Sequence, residues 1–447
     1  MVMRTVPGTT LEYELISFDK NGDETTTGGA ASAVDEVAAR IAGGAAQEVI
    51  VVSHGWNNDS VDAPRLYDRW LGPVATLIED RSLPRPLIVA VHWPSKAWGR
   101  EVGVTLGGAV LGAPETGMLI PLKQAVEEWA ARLGDTDQER AVLVEPLTAI
   151  FTESVIGPDR DELPPDLKRH FDVISAIVSR DGKDEGPWSP PEAYRLLGQF
   201  GTDGAGLGGA DRPGEVLGGS GGWKLFGLVR QASFWKMKKR ARVVGTSGVH
   251  AMIAAFRSAA VGTSTRLHLV GHSFGCIVVS AAVLGDPVLG PRTPVSSLTL
   301  LQGAMSMWSL DASIAVADGA PGYFSPLLTE KLVDGPLVVT WSRSDHAVGT
   351  YYPLAAAVVG AVVLGQPVYG ATGAHGARGL EAGVDEVLEL ALGPATYALR
   401  AGTVYNVDAS AVISDEEPIE GSHNDIARSE VAELVLAAVR AAPRDRP

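Results

Sequence analysis

Six short apolar runs, each rich in β-branched residues, constrain the fold of this chain more than any other feature: Glu48–Ser53, Leu87–Trp93, Leu267–Val270, Ser297–Leu301, Leu337–Trp341 and Thr403–Val407. Such runs read as buried parallel strands, because a strand with one wet face alternates polar and apolar residues. Helical patterns fill most of the intervals between them. Strands alternating with helices predict an α/β fold with a doubly wound, mostly parallel sheet. The N-terminal stretch Thr10–Phe18 alternates and ends at the turn signal Asp19-Lys-Asn-Gly22. It is expected to form an antiparallel edge strand.

One interval is too long for a simple crossover. Roughly 170 residues separate Leu87–Trp93 from Leu267–Val270, where a parallel crossover needs about a dozen or more. Helical character recurs at Leu122–Leu133, Glu139–Ser154, Pro165–Val178 and Glu192–Phe200, and the glycine-dense Gly201–Gly222 follows. The expected organisation is a core segment 1–100, a helical insertion 101–222 closed by a glycine-rich loop, and a second core segment 223–447. Trp223–Ala260 reads as the long helix, or helix pair, that returns to the sheet. The insertion is expected to be a cap or lid. The apolar stretches Val102–Leu111 and Leu354–Leu364 read as core or lid helices, with contact to a lipid interface as the alternative. No apolar run reaches the ~20 residues of a membrane span.

The run Leu267–Val270 leads straight into Gly271-His-Ser-Phe-Gly275, and Cys276–Leu284 reads as helix. Strand, Gly-x-Ser-x-Gly and helix together form the pattern of a nucleophile elbow. A serine hydroxyl is barely acidic and needs a base to become a nucleophile. The elbow lifts the oxygen of Ser273 clear of the sheet and aims the helix N-terminus at developing negative charge. It also offers the N–H of Phe274 as an oxyanion donor. Gly271 and Gly275 flank the serine because side chains there would collide with strand and helix, and His272 is the variable residue of the pattern. A tight strand–helix turn without chemistry is the alternative. Gly218-Gly-Ser220-Gly-Gly222 has the same spacing, but no strand precedes it, and it reads as a linker.

With a serine on such an elbow, the acid and the histidine follow in that order along the chain. Leu337–Trp341 runs into Ser342-Arg-Ser-Asp345-His346, which places a carboxylate past a strand's carboxyl end, where such an acid belongs. Asp334 lies at the opposite end of that strand, and Asp408, after the last strand, is the second choice of acid. His423, in the polar loop Gly421-Ser-His-Asn-Asp425 before the helix Ala427–Ala441, is the one histidine after the final strand. It is the expected base, with Asp345 holding its tautomer. His346 adjoins the acid but precedes the last strand. His268 reads as packed, His375 as a surface or substrate-facing residue, and His170 and His250 as helix residues without partners. No histidines show the close helical pairing of a zinc protease, and the single cysteine, Cys276, reads as a buried spectator. No catalytic metal and no cofactor are expected.

The loop after the first parallel strand, Ser53-His-Gly-Trp-Asn-Asn-Asp59, is where a second oxyanion N–H would originate. Gly55 permits close backbone approach, and Trp56 is the expected donor. An N-cap role for Asn58 or Asp59 is compatible with this. Three blocks now stand in order, each at the end of a strand candidate: His54-Gly-Trp-Asn-Asn58, Val91-His-Trp-Pro-Ser95 and Gly271-His-Ser-Phe-Gly275. In these blocks the chain resembles a bacterial α/β-hydrolase family of unknown function. Members of that family carry a His-Gly-aromatic-Asn-Asn stretch, a Trp-Pro-Ser stretch and a Gly/Ala-His-Ser-x-Gly elbow. The resemblance covers about Gln47–Ser95 and Thr265–Ala304. It implies the α/β-hydrolase fold, with Ser273 as nucleophile and Gly55/Trp56 as oxyanion loop. The acid and base loops match in placement alone, and the long insertion departs from the family's compact pattern.

Composition narrows the partners. Among 447 residues, 45% are hydrophobic and 20% charged, with a net charge of −16. That balance suits a globular protein and argues against nucleic acid or anionic membrane as the main partner. The basic run Lys236-Met-Lys-Lys-Arg240 reads as a solvated helix face. One cysteine and no apparent signal peptide fit a reducing cytoplasm. The resulting expectation is a cytoplasmic serine hydrolase for a small-molecule ester, thioester or amide, carboxylesterase- or lipase-like toward an apolar acyl group. Its acyl pocket would be lined by the insertion's flanks and Tyr351-Tyr-Pro-Leu354. A non-catalytic binding module on the same fold, or an acyltransferase or haloperoxidase, are the competing expectations. Oligomeric state has no sequence signal.

Overall fold

The structure is a computed structural model that describes residues 2–26, 31–56, 58–95, 103–106, 109–111, 119–158, 160–178, 189–199, 221–288, 290–351, 362–363, 366–367, 369–381, 383–415 and 421–444. The chain divides into two compact units. One comprises Met1–Lys96, Arg240–Gly349 and Gly370–Pro447, and the other Ala97–Lys239 and Thr350–Tyr369.

The first unit is built on a nine-stranded sheet. Its strands, in chain order, are β1 (Val2–Thr5), β2 (Glu12–Ser17), β3 (Glu48–Ser53), β4 (Leu87–His92) and β5 (Arg266–His272). β6 (Ser297–Leu301), β7 (Leu337–Trp341), β8 (Asp385–Glu389) and β9 (Val404–Asp408) complete it. The spatial order is β1-β2-β4-β3-β5-β6-β7-β9-β8. Every neighbouring pair is parallel except β1 with β2. The architecture is therefore α/β with a mostly parallel sheet. The expected antiparallel edge strand needs correction: β2 pairs in parallel with β4, and Val2–Thr5 takes the edge beyond it. A four-residue strand so close to the start of the chain carries too few residues to display a period.

Alternation within the buried strands assigns two cores. Ile50, Val52, Ile88, Ala90, Val270, Leu301, Val338, Tyr405 and Val407 join one cluster with Tyr67, Trp70 and Leu71 of helix Asp62–Asp80 and Leu434 and Ala438 of helix Ser429–Ala441. Their neighbours Val49, Val51, Leu269, Leu298, Leu300 and Val339 are also buried. They face the other way, as the two-residue side-chain period of a strand requires. Helices Ala33–Ala42, His250–Ala259 and Gly275–Leu284 pack together on that side. The sheet is thus covered on both faces, which explains why its strands read as continuous apolar runs.

The second unit has its own core, in which Trp129, Phe151, Phe171, Tyr194, Leu228 and Trp235 are buried together. Helices Leu122–Leu133, Asp137–Ile156, Pro165–Val178 and Pro190–Gln199 supply it with the first part of helix Gly221–Val244. Thr136 and Glu139 form a reciprocal capping box that starts the second of these. Four expectations change here. Helix Gly221–Val244 runs through the expected boundary at residue 222, and the units divide at Lys239/Arg240. Residues Thr350–Tyr369, expected in the core segment, belong to the second unit. Val102–Leu111, expected to be helical, holds two short antiparallel strands, Gly103–Leu106 and Ala109–Leu111. The β-branched Val104, Thr105 and Val110 favour an extended chain, and glycine disfavours a helix. Finally, Lys236 and Lys238, expected to be solvated, are each 3% exposed. Lys236 pairs with Asp135, and the Lys238 ammonium lies 5.4 Å from the Trp235 ring centroid. Most of Leu354–Leu364 and the loop with Ser220 lie outside the described residues. Among the described residues no helix is long and apolar enough to cross a membrane.

Candidate active site

Register brings the carboxyl ends of the central strands to one level. Ser53 stands opposite Gly271 across β3 and β5, and His272 opposite Leu301 across β5 and β6. The residues that follow these strands therefore meet at one rim of the sheet, the usual location of sites in parallel α/β folds.

Ser273 follows β5 with φ 57° and opens directly into helix Gly275–Leu284. A left-handed backbone is uncommon for a residue other than glycine and reports local strain. Its N–H donates to Leu301 O at 3.1 Å, and its carbonyl accepts from Cys276 and Ala304. The glycines have a steric explanation. A Cβ on Gly275 would lie 2.1 Å from Ser53 O, and one on Gly271 2.6 Å from the Cys276 backbone. Strand and helix pass too close for any side chain.

His423 Nε2 lies 2.8 Å from Ser273 Oγ, and His423 Nδ1 lies 2.8 Å from Asp345 Oδ2. A carboxylate only accepts, so Nδ1 carries the proton and Nε2 accepts from the serine hydroxyl. The loops that carry these side chains are tied together. Ser422 N–H donates to Ser344 O at 2.9 Å, and a Cβ on Gly421 would lie 2.2 Å from that same carbonyl. Gly421 has φ 59°, so glycine is needed both for the turn and for the close approach. Asp345 is 1% exposed and accepts Val348 N–H at 3.2 Å on its other oxygen.

His272 donates from Nε2 to the backbone carbonyl of His423 at 2.9 Å, and the two imidazole rings lie 5.0 Å apart. The elbow thus grips the histidine loop. Burial pushes His272 down to about 3, and the neighbouring His423 acts in the same direction. His272 therefore stays neutral and adds no charge beside the base.

The loop after β3 abuts the serine. A Cβ on Gly55 would lie 2.5 Å from Ser273 Cβ and 2.9 Å from Oγ. The Trp56 and Phe274 ring centroids are 6.0 Å apart, so the Trp56 side chain packs against the elbow. A lattice of bonds between the His-Gly-Trp-Asn-Asn and Trp-Pro-Ser stretches holds this loop. His54 stacks on Trp93, with centroids 5.7 Å apart and planes 5° from parallel. Trp93 Nε1–H donates to His54 O at 3.0 Å, and His54 Nδ1–H to Gly55 O at 2.8 Å. Asn58 N–H donates to Ser95 Oγ at 2.9 Å, and that hydroxyl returns to Asn58 O at 3.0 Å. Asn58 Nδ2 donates to Trp56 O at 2.9 Å. Burial pushes His54 down to about 3. In this chain the two stretches form one brace. Sequence reading placed them separately at strand ends and did not connect them; the hydrogen-bonding residues at their tips, Asn58 and Ser95, were the available signal.

The remaining residues sort clearly. Asp408 pairs with Arg343 at 3.0 Å and accepts the Ser410 hydroxyl, while Asp345 is the carboxylate that faces His423 Nδ1. Asp334 lies before β7, at the strand starts. His250, expected to have no partner, donates from Nδ1 to Ala282 O at 2.7 Å. Cys276 is buried, and burial pushes its thiol up. Tyr352–Leu354 of the expected acyl pocket lie outside the described residues. A cavity of about 1130 Å³ opens at the strand starts, lined by Arg266, Leu337 and Val404 among others; none of Ser273, Asp345 and His423 borders it.

A second serine–histidine–carboxylate line exists within the sheet. Ser297 Oγ is 2.8 Å from His268 Nδ1, and His268 Nε2 is 2.9 Å from Glu48 Oε2. Ser297 and His268 are buried in strands, and Glu48 is bound by Arg266 as well. Ser297 has neither the left-handed turn nor a following helix. Spacing alone thus fails to distinguish the two lines; the elbow and the adjoining loop do. Comparison with family models, with curated proteins and with solved structures finds no match for this chain.

Proposed function

We propose that this chain is a serine hydrolase of the α/β-hydrolase fold that cleaves a carboxylic ester, or a related thioester or amide, through an acyl-enzyme. One observation carries the reading: a left-handed serine at a strand–helix turn, hydrogen-bonded to a histidine that is itself hydrogen-bonded to a buried aspartate. Chain order serine, acid, histidine and position at the sheet's carboxyl rim support it.

Ser273 Oγ attacks the acyl carbonyl while His423 Nε2 takes its proton. Asp345 holds the imidazole with Nε2 toward the serine and stabilises the imidazolium that forms. The amides of Phe274 and Trp56 receive the negative charge that develops on the carbonyl oxygen. His423 then gives its proton to the leaving group, and a water repeats the sequence to release the acid. The acyl group is apolar in this reading. Turnover of p-nitrophenyl esters of graded chain length, wild type against Ser273→Ala, tests it. Ser273-dependent hydrolysis that varies with chain length is expected. No turnover from a folded wild-type chain would instead favour a non-catalytic binding module.

A further inference from the structure

Gln302 follows β6 directly and is fully buried, with φ 46°. Side chains other than Asn, Asp and Gly rarely adopt this conformation, and it is kept where the surroundings over-determine it. The surroundings here are specific. Gln302 Nε2 donates to Asp345 Oδ2 at 2.9 Å and to Gly373 O at 3.2 Å. Its Oε1 accepts from the Thr340 hydroxyl at 3.0 Å, and the Thr340 oxygen in turn accepts Gln302 N–H at 3.1 Å. A carboxylate and a carbonyl accept but cannot donate, so chemistry decides which end of the amide faces Asp345.

Asp345 Oδ2 therefore receives two N–H donors, one from Gln302 and one from His423. Among the described residues no lysine or arginine pairs with Asp345. A neutral amide can hold the carboxylate in place without cancelling its charge, whereas a guanidinium there would compete with the imidazolium.

We infer that Gln302 is a positioning residue: it fixes the Asp345 carboxylate against rotation and keeps Oδ2 in line with His423 Nδ1. The inference rests on the acyl-transfer reading above. Gln302→Leu keeps the bulk and removes the donors. Gln302→Glu keeps the shape and sets a second carboxyl beside Asp345. With a p-nitrophenyl ester, Gln302→Leu should lose about tenfold or more in kcat while KM stays within about twofold. Gln302→Glu should keep more of kcat than Gln302→Leu, because two buried carboxyls at hydrogen-bond distance share a proton and that proton still gives Asp345 Oδ2 a donor. The downfield proton resonance of His423 Nδ1–H should shift in both variants. This readout, with the near-isosteric Gln302→Glu, serves if the leucine variant folds poorly. Folded variants with the wild-type kcat and resonance would overturn the inference alone. Ester turnover by Ser273→Ala equal to wild type, in the same assay, would remove the acyl-transfer reading and this inference with it.

Discussion

Replacing Gly55 by alanine places a methyl group 2.5 Å from Ser273 Cβ and 2.9 Å from Ser273 Oγ. Carbon atoms meet comfortably at about 3.5–4.0 Å, so one side must retreat by roughly 1 Å. Ser273 has little room to retreat. Its N–H is held by Leu301 O, its carbonyl accepts from Cys276 and Ala304, and its φ of 57° lies in a narrow well. The loop moves instead, against its brace on Trp93 and Ser95. The Trp56 amide, one residue on, is carried away from the oxygen it is proposed to hold. Losing one oxyanion donor typically costs about 2.7–4 kcal/mol of barrier, or about 10²–10³ in kcat. Gly72 supplies the control. It lies in helix Asp62–Asp80 with open space where a Cβ would stand. Gly72→Ala should stabilise the protein by up to about 1 kcal/mol and leave kcat unchanged. Steady-state ester hydrolysis and thermal melting, run on both variants, read the two effects separately. If Gly55→Ala keeps kcat within about threefold of wild type while folded, the proposed place of Trp56 in catalysis is wrong.

Asp345→Asn should lower kcat by about 10³–10⁴-fold, because an asparagine facing Nδ1 no longer enforces the working tautomer. Asp408→Asn should change kcat little, since Asp408 is occupied with Arg343 and Ser410; equal losses in the two variants would put the acid in the wrong loop. His272→Gln should reduce kcat by roughly tenfold through the weakened hold on the His423 carbonyl. The same variant tests acid stability. Burial holds His54 and His272 near 3, below the ordinary histidine value. The unfolded chain therefore binds protons first on acidification. Stability should be fully present above pH ~6.5 and fall progressively toward pH ~3. Thermal midpoints of His272→Gln should fall less steeply over that range than those of wild type; identical slopes would contradict the assignment.

The buried strands were legible because both faces of the sheet are covered, leaving no polar alternation to obscure them. The two sheet edges were not. β1 is four residues long, and β8 reads Asp-Glu-Val-Leu-Glu, a charged strand whose place depends on pairing with β9 rather than on apolar pattern. The insertion's helices were visible as stretches of helical character, but its boundary was not, because helix Gly221–Val244 is continuous across it. In the candidate site, Ser273, Asp345 and His423 could be proposed from order and strand ends alone. Gln302 could not. A single polar residue after an apolar run has many readings, and only three-dimensional packing brings its amide to Asp345. The Ser297–His268–Glu48 line was equally hidden, because its members belong to three strands distant in sequence.

Covalent labelling with a fluorophosphonate, mapped by mass spectrometry of the digested protein, tests the central claim most directly. Wild type should carry one adduct, on the peptide containing Ser273. Ser273→Ala should carry none, and His423→Ala should label far more slowly because the hydroxyl has lost its base. An adduct on another residue, or labelling of Ser273 at an unchanged rate without His423, would contradict the proposed chemistry.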